Sequence, residues 1–287
     1  MYVKNIEKMV KRIFSFFWVV IFFWACKADK ISVPSYVKVS DYNTKVNSTQ
    51  GTSNQKFTDM SIHANGNAFG TFPLGTNMPI TTAGTTTLLI EPVIEVNGVS
   101  DLRSVYELMS GCDTIISLTT GEVTEVIPVF EYYSGVVPRI MADFNSAGSI
   151  FTASDTGRVS LDPNGFGGGS SNKCLKLNPN STTTYCYAVT TSSYYLPASS
   201  VGVYLEYNYL SNIDIGFSIT GVSSGTTTGL GGAHASQNWN KGYIYMTPAV
   251  TEMNDAIGYY LTIYCNYTDS VGTNAAYIDN IKVLSKS

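Results

Sequence analysis

Apolar and polar residues alternate through most of the chain with the two-residue period of strands, not the 3.6-residue period of helices. Short runs of this kind lie at residues 87–94, 114–118 and 123–130. A second series occupies 158–161, 174–177, 185–190, 201–209, 214–220, 242–247, 259–266 and 275–284. Asn65-Gly66 and Asn97-Gly98 sit between such runs and predict tight hairpins, the first with positive φ at both turn positions. Residues 102–110 have room for one or two helical turns. The first series predicts a small antiparallel sandwich over residues 34–133, with a junction at 133–138, and the second a double-sheet jelly roll over 134–287. The expected fold class is all-β. One stretch breaks the pattern: residues 13–25 are apolar apart from Ser15, behind a leader carrying Lys4, Lys8, Lys11 and Arg12 against the single acid Glu7.

That run is shorter than the roughly 20 residues a bilayer-spanning helix needs, and it suits the core of a secretion signal. It ends in Phe23-Trp24-Ala25-Cys26, a small residue before a cysteine. This resembles the lipobox of bacterial lipoproteins, with Phe23 where Leu is usual. The resemblance implies a signal peptide at 1–25, lipidation of Cys26 and a tether at 26–33. The alternative is a plain signal peptide in which Cys26 is incidental. Each buried methylene contributes about 0.8 kcal/mol, so two acyl chains anchor a protein where one holds it marginally. Lys27-Ala28-Asp29 is similar to the export signal of surface lipoproteins in the Bacteroidetes, though with one acid only. The expected address is the cell envelope, lipid-anchored at the outer membrane, with its periplasmic and surface sides both open.

Without the leader, 13 basic and 20 acidic residues remain, a net charge near −7. No basic patch is visible, which argues against nucleic acid as a partner. Tyr, Thr, Ser, Asn and Gly are plentiful, as in exported β-rich modules whose pleats favour aromatic and β-branched side chains and whose turns take Gly and Asn. About 260 residues are comfortable for two sandwiches and long for one.

Alternation also sorts side chains by face. Val201, Val203, Leu205 and Tyr207 share one side of their run, leaving Tyr204, Glu206 and Asn208 on the other. Tyr243 and Tyr245 oppose Ile244 and Met246, while Tyr260, Thr262 and Tyr264 oppose Tyr259, Leu261, Ile263 and Cys265. On one concave sheet these rings, with Glu206 and Asn208, would stack on a sugar and bind its hydroxyls. Without a ligand, the same tyrosines would pair across strands and stabilise the sheet by themselves. Trp239 fits either a sugar platform or a plug at one end of the core. Cys174 and Cys186 lie in neighbouring runs and are candidates for a disulfide; free buried thiols are the alternative.

Two family resemblances follow. Residues 60–73, MSIHANGNAFGTFP, with Gly84 and the strand after it, resemble PEGA-type and immunoglobulin-like modules of bacterial envelope proteins. In the second half, Asp143-Phe144, the run KCLKL at 173–177, WNKGYIY at 239–245 and YIDNIKV at 277–283 resemble galactose-binding-like jelly rolls and carbohydrate-binding modules. That resemblance implies a polysaccharide as partner and, at Asp143 and Asp279, a structural calcium.

No catalytic constellation emerges. Gly221-Val-Ser-Ser-Gly225 fits G-x-S-x-G by letter, but a nucleophile elbow needs a helix after it, and a glycine-rich stretch follows. Glycine-rich residues 165–169 lack the lysine of a phosphate loop and read as a flexible connection. His63 and His234 have no ligand-like neighbours, and Glu206 and Asp214 are the only acids nominated for the carboxylate pair of a glycosidase. Asp113-Thr114-Ile115 and Asp269-Ser270-Val271 resemble O-glycosylation acceptors of the Bacteroidetes. The expectation is a non-enzymatic envelope lipoprotein that binds glycan, with a subunit docking on an outer-membrane protein complex as the alternative and a hydrolase as a remote one.

Overall fold

The computed structural model describes residues 33–145, 150–169, 171–198, 202–255 and 257–286. The expectations for residues 1–32, Cys26 included, lie outside the described residues. Among the described residues no helix is long and apolar enough to cross a membrane.

The first sandwich holds β1 (Ser35–Lys38), β2 (Asn43–Lys45), β3 (Asp59–Ala64), β4 (Asn67–Pro73) and β5 (Asn77–Ile80). It continues with β6 (Gly84–Val96), β7 (Val99–Val105), β8 (Cys112–Leu118), β9 (Val123–Glu125) and β10 (Val129–Glu131). One sheet runs β4-β3-β6-β7, with β8 also paired to β6; β5-β1-β9 and the pair β10-β2 form the other strand groups. Both hairpins form as expected: Asn65 and Gly66 have φ of 50° and 79°, and Asn97 and Gly98 have 60° and 72°. Residues 123–130 are two strands, not one, because Pro128 lacks the N–H that a continuous ladder requires. Residues 102–110 are not helical: β7 runs through Val105, and a turn follows.

The second sandwich holds β11 (Val136–Ala142), β12 (Phe151–Ala153), β13 (Val159–Asp162), β14 (Cys174–Leu177), β15 (Tyr185–Thr190) and β16 (Val203–Ser211). It is completed by β17 (Ile215–Gly221), β18 (Thr227–Ala233), β19 (Ser236–Tyr245), β20 (Tyr259–Asn266) and β21 (Ala276–Lys286). A short helix, α1 (Thr247–Met253), separates β19 from β20; Pro248 opens it and Asn254, at φ 42°, ends it. One sheet runs β13-β14-β21-β16-β19 with β11 on β21, and the other β12-β15-β20-β17-β18. They are called below the β16 sheet and the β20 sheet. Between them lies a core of Leu175, Leu177, Leu205, Tyr207, Phe217, Ile219, Ile244, Leu261, Ile263 and Val283, among others. All-β architecture in two sandwiches is thus what the alternation predicted.

A second core fills the first sandwich around Phe57, Met60, Ile62, Tyr106 and Phe130, and it also takes in Tyr204, Tyr243 and Leu284 from the second. The outer face of the β16 sheet is therefore covered by the first sandwich. This is why β16 is buried on both faces, against the usual alternation of a surface strand.

The cysteine expectation is corrected. Cys174 on β14 and Cys186 on β15 belong to different sheets, and both are free. Cys186 instead stands opposite Cys265 across the β15–β20 ladder. Burial pushes the Cys186 thiol up to about 11 and raises that of Cys265 as well, so both are poor nucleophiles at neutral pH.

Candidate ligand-binding surface

The residues expected on one concave face are divided between two sheets. Tyr204, Glu206, Asn208, Tyr243 and Tyr245 lie on the β16 sheet; Tyr260 and Tyr264 lie on the β20 sheet. Of the first group, all but the half-buried Tyr245 are sealed under the first sandwich. These four are interface groups, a correction that alternation could not supply, because a strand's polar face looks alike whether water or another module covers it.

The centre of this interface is Glu206. Its Oε1 accepts hydrogen bonds from the hydroxyls of Tyr106 and Tyr132, each at 2.5 Å, and its Oε2 accepts one from Gln55 Nε2 at 3.1 Å. Lys241 Nζ lies 2.8 Å from Oε2 and Lys282 Nζ 3.7 Å from it. Lys282 also donates to the Thr52 carbonyl at 2.7 Å, and Tyr243 donates to Gln55 Oε1 at 2.7 Å. Burial alone would raise the Glu206 carboxyl, but Lys241, Lys282 and the Tyr106 hydroxyl outweigh it and hold it at about 2. With two lysines on one carboxylate, burial pushes Lys282 down to about 8 despite the attraction of Glu206. Asn208 completes the seal by donating to Asn54 Oδ1 at 2.8 Å.

The open aromatic surface is on the opposite side of the molecule's second sandwich. Tyr185 and Tyr187 alternate with inward-facing Cys186 and Ala188, so both project from the outer face of the β20 sheet. Tyr264 stands opposite Tyr187 across the ladder. Ring centroids are 5.6 Å apart for Tyr185–Tyr187 and 5.7 Å apart for Tyr185–Tyr264. Tyr185 is 46% exposed. Tyr264 lies flat across β17, over Gly216, where any side chain would run into its ring. Tyr260 shares this face further along β20. Sequence reasoning passed over Tyr185 and Tyr187, although the alternation in TYCYAV around Cys186 carried the signal.

Beyond Tyr264 the surface falls into a cavity of about 400 Å³ at the seam between the sandwiches. The β6–β7 turn, Asn97, Gly98 and Val99, forms one wall; Asp214, Gly232, His234, Tyr264 and Asn266 are among the residues opposite. The turn is held rigidly. Asn97 N–H donates to the Tyr243 carbonyl at 2.8 Å, and Asn97 Oδ1 accepts from the Tyr245 N–H at 2.9 Å. Gly98 packs so closely on the Gly232 carbonyl that a Cβ could not fit. His234 Nδ1 lies 3.2 Å from Asp214 Oδ1, and both side chains are largely exposed. A further hollow of about 430 Å³ shares Asp214 and Asn266 with this cavity.

Trp239 is on β19, half-buried, and packs edge-on against Phe166 with centroids 5.9 Å apart. The glycine-rich residues 165–169 thus place a ring, and the Phe166 N–H donates to Asp279 Oδ2 at 2.9 Å. Asp279 also accepts from the Asn280 N–H at 2.7 Å, and burial, with Asp143 nearby, pushes its carboxyl up to about 6. The two acids implied as calcium ligands are therefore neighbours. Calcium takes six to eight oxygens, and among the described residues no group of three or more His, Cys, Asp or Glu side chains converges there or elsewhere. The two carboxylates by themselves do not make a calcium shell.

Gly221-Val-Ser-Ser-Gly225 is a turn between strands β17 and β18, not a strand-to-helix elbow. Ser223 Oγ donates to Asp255 Oδ1 at 2.9 Å, and the N–H groups of Ser223, Ile257 and Gly258 also donate to that carboxylate, which makes it a loop tie. Thr114 lies within β8 and Ser270 in a turn.

No protein-family model and no curated protein sequence matches the chain. Solved structures with some similarity include a mutant of a family 29 carbohydrate-binding module complexed with mannohexaose, 12% identical, covering 50% of this chain and 89% of that one at a TM-score of 0.34. A cleaved adhesin domain of Lys-gingipain from Porphyromonas gingivalis is 14% identical, covering 52% and 99% at a TM-score of 0.36. TmCBM61 in complex with β-1,4-galactotriose is 13% identical, covering 48% and 90% at a TM-score of 0.33. The ligand question rests on the geometry of this chain.

Proposed function

We propose that the protein is a non-catalytic module that holds a glycan on the outer face of the β20 sheet. The observation that supports this is the solvent-side cluster of Tyr185, Tyr187 and Tyr264, in which the Tyr185 centroid lies 5.6 Å from that of Tyr187 and 5.7 Å from that of Tyr264. Aromatic rings offer an apolar face to the C–H side of a sugar and a hydroxyl to its polar edge. Asn266, exposed and opposite Tyr185 in the ladder, adds an amide at the cluster's border. The envelope tether at Cys26 remains part of this proposal, and it would hold the second sandwich at the cell boundary.

Isothermal titration of the full chain with mannohexaose, cellohexaose and β-1,4-galactotriose tests the reading. At least one is expected to bind, and Tyr185→Ala is expected to weaken it about tenfold, as loss of a stacking anchor does. Because Tyr185 projects from the sheet, the change should leave stability within about 0.5 kcal/mol. A wild type that binds none of the three, or a variant that binds as well as wild type, contradicts the reading.

A further inference from the structure

We infer that the seam cavity beside Tyr264 is a subsite for an uncharged sugar residue, built jointly by the two sandwiches, so that the first sandwich takes part in recognition. The inference rests on the glycan reading above and deepens it.

Three observations carry it. The cavity, about 400 Å³, falls within the size range of small-ligand sites and is lined from both sides of the seam. Tyr264 lines it and also packs against Tyr185, with centroids 5.7 Å apart, so the cavity adjoins the exposed tyrosine cluster and a chain lying on that cluster can reach into it. Its far wall is already ordered: Asn97 is bonded to β19 by its backbone and its side chain, and Gly98 is pressed onto β18. A wall that needs no reordering on binding saves the entropy that a loose loop would lose.

The lining also indicates the chemical class. Asp214, His234, Asn97 and Asn266 supply acceptors and donors suited to hydroxyl groups, and no Lys or Arg is among the lining residues. An anionic sugar would meet the Asp214 carboxylate without a fixed cation to balance it. A neutral sugar meets no such charge.

The test is titration of the full chain and two variants with the three neutral oligosaccharides and with hexagalacturonate as an anionic probe. Val99→Trp fills the cavity from the first sandwich, at a position 50% exposed and so tolerant of bulk. Asp214→Ala removes a polar contact from the second. Affinity for the best neutral oligosaccharide is expected to fall about tenfold in Val99→Trp and at least about threefold in Asp214→Ala, with the unfolding midpoint unchanged. Hexagalacturonate is expected not to bind. If Tyr185→Ala weakens binding while both seam variants bind as wild type, the subsite is overturned and the tyrosine surface stands. If hexagalacturonate binds as tightly as the neutral probes, the class assignment is overturned. If wild type binds none of the four, the subsite and the glycan reading fall together.

Discussion

Glu206→Ala is expected to lower the unfolding free energy by about 3–5 kcal/mol, the range for stripping a buried charge of its partner. The reason is the arithmetic of the interface. Glu206 is the counter-ion of Lys241, at 2.8 Å, and of Lys282, at 3.7 Å, and all three side chains are almost wholly buried. It also accepts the hydroxyl hydrogens of Tyr106 and Tyr132 from the first sandwich. Alanine would leave two ammonium groups and two hydroxyls out of water without their acceptor, and unpaired buried polar groups cost more than the pair gains. Adding Lys282→Met to Glu206→Ala should recover part of the loss, because one stranded cation goes with it; such coupling is expected only for groups in direct contact. Urea unfolding followed by tyrosine fluorescence measures both. A loss below about 1 kcal/mol for the single variant would mean that water reaches the cluster.

Acid should unfold the protein through the same carboxylate. Glu206 sits at about 2 in the fold against the ordinary value of 4.5, so its stabilisation is complete above about pH 4.5 and is lost as pH falls from there toward 2. A shift of this size corresponds to about 3 kcal/mol. Asp279 acts the other way. Its carboxyl is raised, chiefly by burial, to about 6, so the fold keeps a proton that the unfolded chain loses between its ordinary 3.8 and 6, and stability falls as pH rises through that window. The wild-type profile should therefore rise slightly from pH 6 toward pH 4.5 before dropping steeply below it. Asp279→Asn should abolish the rise and leave the drop. Urea midpoints at pH 7, 4.5 and 2.5 decide this, and a wild-type profile flat from pH 4.5 to 2.5 would contradict the role given to Glu206.

How much was legible in the sequence differs by level. Strands with strong alternation, such as β14, β15 and β20, fall within the expected residues, and the Asn-Gly turns have the expected dihedrals, because pleat and turn are local matters. The expected junction at 133–138 overlaps the start of β11, whose sheet accommodates Pro138 by a shift of register between Pro138 and Ile140. β18 is absent from the expected strands because the glycine-rich Thr-Thr-Gly-Leu-Gly-Gly carries little alternation; its glycines allow close approach of β17 and of the Asn97-Gly98 turn. The site was the least legible part. Alternation correctly separated Tyr204, Glu206 and Asn208 from Leu205 and Tyr207, yet it could not say that a second sandwich covers the polar side. Of the open rings, Tyr264 on β20 is among the expected residues, whereas Tyr185 and Tyr187 flank Cys186 on β15 and are not.

The central claim is that the aromatic face of β16 and β19 is sealed while that of β15 and β20 is open. Hydroxyl-radical footprinting of the full chain, read by mass spectrometry, tests it without any ligand. Tyr185, 46% exposed, should oxidise readily, while Tyr204, Tyr243 and Tyr106, each no more than 2% exposed, should be protected until the protein unfolds. Oxidation of Tyr204 and Tyr243 in the native protein at rates like that of Tyr185 would contradict the account.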